Sequence, residues 1–188
     1  MAIEKPRYRV VQELPGIEVR EYAPYLVAET EVSGSREEAG NAGFRRLAGY
    51  IFGKNRGEKK IAMTAPVAQQ EGTRIAMTAP VAQQELSGGG KSAWTIQFMM
   101  PSEYARDALP EPIDPAIRFR EVPARRVAVL RYSGTWSEER YLEKLAELKA
   151  AMEKAGLRAV GEPVWARYDP PFMPWFLRTN EILIEIVP

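Results

Sequence analysis

The chain has 188 residues, 45% hydrophobic and 27% charged, with a net charge of +1, an ordinary balance for a globular protein. That charge gives no electrostatic case for nucleic acid or an anionic membrane surface, and no run approaches the roughly 18 apolar residues of a membrane span. With neither cysteine nor histidine, the chain can form no disulfide, thiolate or imidazole metal site, cysteine nucleophile or serine–histidine pair.

The N-terminal MAIEKPRYRVVQELPG lacks the apolar core of a secretory signal. Together with the missing cysteines this leads us to expect a cytoplasmic protein. From Ile17 the chain reads strand, short turn, strand, Ser-Gly turn and helix, and it does so twice. IEVREYAPYLVAETEVSGSREEA (17–39) and IRFREVPARRVAVLRYSGTWSEE (117–139) align without gaps at an offset of 100, with Ile17/Ile117, Arg20/Arg120, Glu21/Glu121, Val27/Val127, Ala28/Ala128, Ser33/Ser133 and Gly34/Gly134 coinciding. Ser35-x-x-Glu38 and Thr135-x-x-Glu138 both read as capping boxes. Phe44, Leu47, Ala48 and Ile51 share one side of the first helix. Gly40 and Gly43 weaken that helix and mark a close approach by another element. Tyr141, Leu145, Leu148 and Met152 form the stripe of the second helix, which Gly156 closes.

Two strand candidates follow each helix: one copy of IAMTAPVAQQ and then AWTIQFMM (93–100) in the first half, PVWARYD (163–169) and NEILIEIV (180–187) in the second. In the last, Ile182, Ile184 and Ile186 point to one face and Glu181, Leu183 and Glu185 to the other. The halves, approximately 1–100 and 113–188, are each ββαββ and are joined by a proline-rich connection. The expected fold is α+β: a distorted antiparallel eight-stranded barrel with two main flanking helices.

One segment occurs twice: Ile61–Glu71 and Ile75–Glu85 are identical. The 14-residue spacing is even, so either copy presents the same side chains to the same faces of one strand position. A match without a single difference points to a recent duplication. Copy two in the sheet would lengthen the loop after the first helix. Copy one in the sheet would lengthen the loop before Trp94. A third arrangement pairs one copy with a neighbouring chain, giving a homodimer through the duplicated strand. The glycine run in LSGGGKS reads as the hairpin loop and favours copy two.

KIAMTAPV, FMMPSEYARDALPEPIDPAIRFREVPARRVAVLRYSGTW and ARYDPPFMPWFLRTNEILIEI together resemble the SOUL/haem-binding protein family, over nearly the whole chain. The resemblance implies one SOUL-like domain over 1–188, related in fold to the gyrase-inhibitor-like ligand-binding domains. It implies capture of haem or another flat tetrapyrrole in a shallow apolar site near the first helix. Some relatives use histidine as an axial ligand, and this chain has none. Haem, if bound, is then held by apolar burial and by Arg or Lys near its propionates, with a methionine or tyrosine as the only side chains left to reach iron.

The candidates that follow from this resemblance are Phe44, Leu47, Ala48 and Ile51 on the first helix, with Arg45 and Arg46 toward propionates and Met63 or Met77 lining the pocket. YDPPFMPWFLRTNE adds Phe172, Trp175, Phe176 and Arg178 as a stiff aromatic loop, either an interaction surface or a lid. Glu181 is expected to pair with Arg167. An alternative reading takes Glu181, with Tyr168 or Tyr132, as the acid–base group of an enzyme acting on small hydrophobic molecules. A third takes the chain as an interaction protein.

Overall fold

The computed structural model describes residues 4–72, 93–169 and 172–188. Among the described residues, nine strands and two α-helices follow in the order β1 (Tyr8–Leu14), β2 (Ile17–Tyr22), β3 (Tyr25–Ser33), α1 (Arg36–Ile51), β4 (Val67–Gly72), β5 (Ala93–Met99), β6 (Arg118–Val122), β7 (Arg125–Ser133), α2 (Glu138–Lys154), β8 (Val164–Arg167) and β9 (Thr179–Glu185). All nine strands form one curled antiparallel sheet, ordered β1-β2-β7-β9-β8-β4-β5-β3-β6. The expected α+β architecture is therefore present, with β1 as an added edge strand. Without β1 the order reads the same from either end when β2–β5 are exchanged for β6–β9. The pseudo-twofold passes through the β4–β8 pair, where Gln69 lies opposite Trp165 and Val67 opposite Arg167.

Both helices pack on one face of the sheet. Leu47 and Ile51 of α1, each 1% exposed, join Ala28, Trp94, Ile96 and Phe98. Tyr141, Leu148 and Met152 of α2 join Ala128, Leu130, Trp165, Ile182 and Ile184. Each fully buried aliphatic side chain contributes about 1.5–3 kcal/mol. The opposite face is buried as well, because the sheet curls on itself: Tyr22, Val127, Val129, Val164, Ala166 and Leu183 form a third core.

Local chemistry accounts for the helix ends. Ser35 caps α1 in a reciprocal box with Glu38, as expected. The cap of α2 is Ser137, whose Oγ accepts the Arg140 N–H; this corrects the expected Thr135 box. The close approach marked by Gly43 is to β5: a Cβ there would lie 2.3 Å from Ile96 Cγ1. That glycine sets the α1–sheet spacing.

The strand between β5 and β8 is the first copy of the duplicated segment, which corrects the expectation of copy two. The deciding contacts lie upstream of the segment. Asn55, 1% exposed, donates from its side-chain amide to the Tyr50 and Lys59 carbonyls and accepts the Lys59 N–H. The Ile61 N–H then donates to the Ile51 carbonyl at 2.8 Å. This clamp delivers copy one directly from α1 into the sheet. Copy two, including Met77, lies outside the described residues.

Candidate functional site

A cleft of about 530 Å³ lies on the helix-bearing face, beside the N-terminal half of α1 and over the β4–β8 junction. Its α1 wall is Gly40, Asn41 and Phe44. Met63, Thr64 and Ala65, on the approach to β4, form its rim. Val67, Gln69, Ile96 and Arg167 form the floor, and Trp136, Tyr168, Asp169 and Phe172 the far wall. It falls within the ~300–1,000 Å³ usual for small-molecule sites and has their mostly apolar lining with a few convergent polar groups.

The architecture explains each wall. Strand alternation turns Val67 and Gln69 toward the helices and Ala68 and Gln70 away. Gln69 is tied down at both ends: its amide donates to the Arg36 carbonyl at 2.8 Å, and its Oε1 accepts from Arg167 Nη2 at 3.0 Å. Gly40 lets α1 approach this pair, since a Cβ there would sit 3.0 Å from Gln69 Oε1. Phe44 leans on Phe98, ring centroids 5.4 Å apart, and keeps one edge in the cleft.

Arginines alternate with aromatic rings behind the cleft. The Arg167 guanidinium lies 4.1 Å from the Trp165 ring and 5.4 Å from Trp136. Arg178 covers Trp136 at 4.3 Å. Arg36 covers Tyr141 at 3.8 Å and Trp94 at 5.0 Å. Burial between the indoles, with Arg36 nearby, pushes Arg167 down to about 10, so it stays protonated at neutral pH. Among the described residues no carboxylate comes within 4.0 Å of it.

The structure brings together some of the candidates and separates others. Phe44, Met63, Tyr168 and Phe172 all line this cleft. Leu47, Ala48 and Ile51 do not; they are buried core facing the sheet, because they lie one to two turns further along the same side of α1, past the cleft at Phe44. Arg45 lies on the outer side of α1, in a separate open hollow of about 1010 Å³ with Glu38 and Asn41. Arg46 is engaged by Thr30 and Asp114. Trp175 and Phe176 pack on each other at 5.6 Å, stay more than half exposed and are not part of the cleft lining. Arg178 donates from Nε to the Met173 carbonyl at 2.8 Å, bracing the loop.

Glu181 lies on the other face of the sheet. Its expected partner, Arg167, pairs in register with Asn180, and adjacent strand residues point to opposite faces. Glu181 meets Arg20 instead: Arg20 Nη2 lies 3.0 Å from Glu181 Oε1, and both side chains are at most 4% exposed. Tyr168 donates its hydroxyl to Glu181 Oε2 at 2.6 Å. Burial alone would lower Arg20, but the hydrogen bond and charge of Glu181 outweigh it and hold the guanidinium above its ordinary value. Burial and the adjacent Glu181 charge push the Tyr168 hydroxyl strongly up. Arg20 also stacks on Tyr8 at 4.2 Å.

Sequence reasoning missed Trp136, Gln69 and the true place of Arg167. Trp136 directly follows the Ser-Gly turn of the repeat, and its position opposite Phe44 depends on the crossing of the two halves.

This geometry can be set beside known proteins. The profile of the SOUL heme-binding protein family matches residues 3–185, and the chain belongs to that family. Heme-binding protein 2 of Mus musculus is 28% identical over 198 aligned positions, covering 98% of this chain and 90% of the relative. Heme-binding protein 2 of Homo sapiens is 30% identical, covering 96% and 85%. Among solved structures, the C-terminal domain of EcmrR shares the fold, with a TM-score of 0.64 at 11% identity, covering 96% of this chain and 98% of that one.

Proposed function

We propose that this chain is a binding protein for haem or a similar flat tetrapyrrole, held reversibly in the cleft between α1 and the β4–β8 junction. The observation that carries this reading is an apolar cleft of about 530 Å³ walled by Phe44 and Trp136 and rimmed by Met63, in a chain of the heme-binding SOUL family. Its two aromatic walls come from different halves, so a planar ligand can be gripped on both sides without either half closing over it.

The lining suits the macrocycle better than it suits iron. The sequence has no histidine or cysteine. Among the described lining residues, Met63 supplies a thioether, and it is 39% exposed. The Tyr168 hydroxyl is committed to Glu181 and keeps its proton. Apolar burial of the ring is therefore the main source of affinity, with Met63 as the candidate side chain toward iron.

The reading is of a carrier and not a catalyst. Glu181, the candidate acid–base group, is neutralised by Arg20 and faces away from the cleft. A carboxylate held by a buried guanidinium and a phenol hydroxyl on the far face of the sheet is turned away from a ligand in the cleft.

A spectrophotometric haemin titration tests the proposal. Wild type should saturate at one equivalent with a shifted Soret band. Phe44→Asp places a carboxylate against the ring and should weaken binding at least tenfold, about 1.4 kcal/mol or more. A non-saturating wild-type response, or an unchanged Phe44→Asp affinity, would rule out this cleft as the haem site.

A further inference from the structure

Between Phe172 and Thr179 the chain presents four large apolar side chains to solvent. Phe172 is 86% exposed, and Trp175, Phe176 and Leu177 are each 58–59% exposed. A braced loop holds them there. The Pro174 carbonyl accepts the Leu177 N–H at 2.9 Å, forming a 3₁₀ turn over Trp175–Leu177. Arg178 Nε donates back to the Met173 carbonyl, and Asp169 Oδ2 accepts the Thr179 N–H at the base of the loop. Trp175 and Phe176 meet edge to face, with their planes 88° apart. The side chains are thus positioned before any partner arrives, so docking would cost little conformational entropy.

Exposed apolar surface of this kind marks a contact with protein or with lipid, and three features select lipid. The first is area. Four such side chains offer about 500 Å², below the roughly 800 Å² that each partner gives to a standard protein interface. A bilayer needs no complementary face and accepts a small patch. The second is charge. The segment from Phe172 to Thr179 contains no carboxylate, and its one charged side chain, Arg178, lies over the Trp136 ring. No acid therefore has to leave water when the apolar side chains enter an interface. The third is residue type: Trp with Phe and Leu is the set that settles at the headgroup level of a bilayer.

We infer that the Phe172–Leu177 loop is a lipid-surface anchor, with Trp175, Phe176 and Leu177 entering the boundary between headgroups and acyl chains. The net charge of +1 gives little long-range attraction, so the contact is apolar, reversible and insensitive to salt. This anchor needs no ligand in the cleft. Combined with the tetrapyrrole reading, it brings the cleft mouth to the lipid surface through Phe172, which also lines the cleft. A flat apolar molecule dissolved in that surface then has a short path into the site.

Flotation of the full chain with phosphatidylcholine vesicles, in the absence of haemin, tests the anchor. Wild type should float with the vesicles, and its partition should stay within about twofold between low salt and about 0.5 M NaCl. Trp175→Ala combined with Phe176→Ala should lower that partition about tenfold or more; both side chains are exposed, so the far-UV spectrum should be unchanged. Trp175→Phe should keep the partition but lose most of the tryptophan quenching by lipids brominated on their acyl chains, since Trp94 and Trp165 are buried. Wild type that does not float, or a double variant that floats equally well, would overturn the anchor. So would binding confined to anionic vesicles and abolished by salt, which is adsorption by charge. A doubled mass in light scattering that the double variant reverses, without flotation, would assign the patch to a second copy of the chain instead. None of these outcomes touches the tetrapyrrole reading, and a failed haemin titration would leave the anchor standing.

Discussion

Two buried arginines with different partners define the two faces of the sheet. Arg20 is fully paired inside the curl, with Glu181 at 3.0 Å and Glu18 at 2.7 Å. Arg167, on the other face, has indoles and an amide but no carboxylate within 4.0 Å among the described residues. The first arrangement is a structural clamp; the second leaves a guanidinium at the floor of the cleft. Removing Glu181 leaves Arg20 with the half-exposed Glu18 alone, a loss of about 1–3 kcal/mol, below that of a fully unpaired buried charge. Glu181→Gln should therefore lower stability to urea by about that amount and leave haemin affinity unchanged, since Glu181 faces away from the cleft. A loss of ligand affinity with little change in stability would return Glu181 to the acid–base role of the alternative reading.

At the level of elements, β4 is the strand on which the site depends. It supplies Val67 and Gln69 to the floor, pairs with β8 across the pseudo-twofold, and is the first of two identical segments. The Asn55 clamp brings that copy out of α1. Excising Gly72–Glu85 leaves Ile61–Glu71 joined to Leu86 and should preserve the fold, the haemin affinity and the oligomeric mass. It shortens the chain by 14 residues, which should leave stability within about 1 kcal/mol of the parent. Loss of binding, or a drop in mass by light scattering, would mean that the second copy builds the site or joins two chains. The choice between copies was not legible in the sequence. The glycine run before β5 is a local signal, whereas the Asn55 contacts span the link between a helix and a strand.

The whole molecule is a twofold-related sheet with the candidate cleft beside the axis. The repeated ββαββ pattern was legible because the same apolar positions and the same Ser-Gly turn recur at a fixed offset, and the observed strand order obeys that symmetry. β1 was not legible: Tyr8, Val10 and Val11 are all exposed, so an edge strand of this kind leaves no alternating apolar signal, and it has no counterpart in the second half. Half of the site was legible in Phe44 and Met63, since α1 and the segment after it are local features. The other half was not. Trp136 and Arg167 meet Phe44 only because β4 and β8 pair at the centre of the sheet, and the register that separates Arg167 from Glu181 by one residue decides which face each occupies. A ¹⁵N-labelled sample titrated with haemin would read this site residue by residue, because the iron broadens signals near it. The Gly40, Phe44 and Gln69 amides and the Trp136 indole N–H should disappear together and saturate at one equivalent, while the C-terminal half of α2 stays sharp. Losses gathered on α2 or the Arg20–Glu181 face, or spread over the surface without saturation, would contradict it.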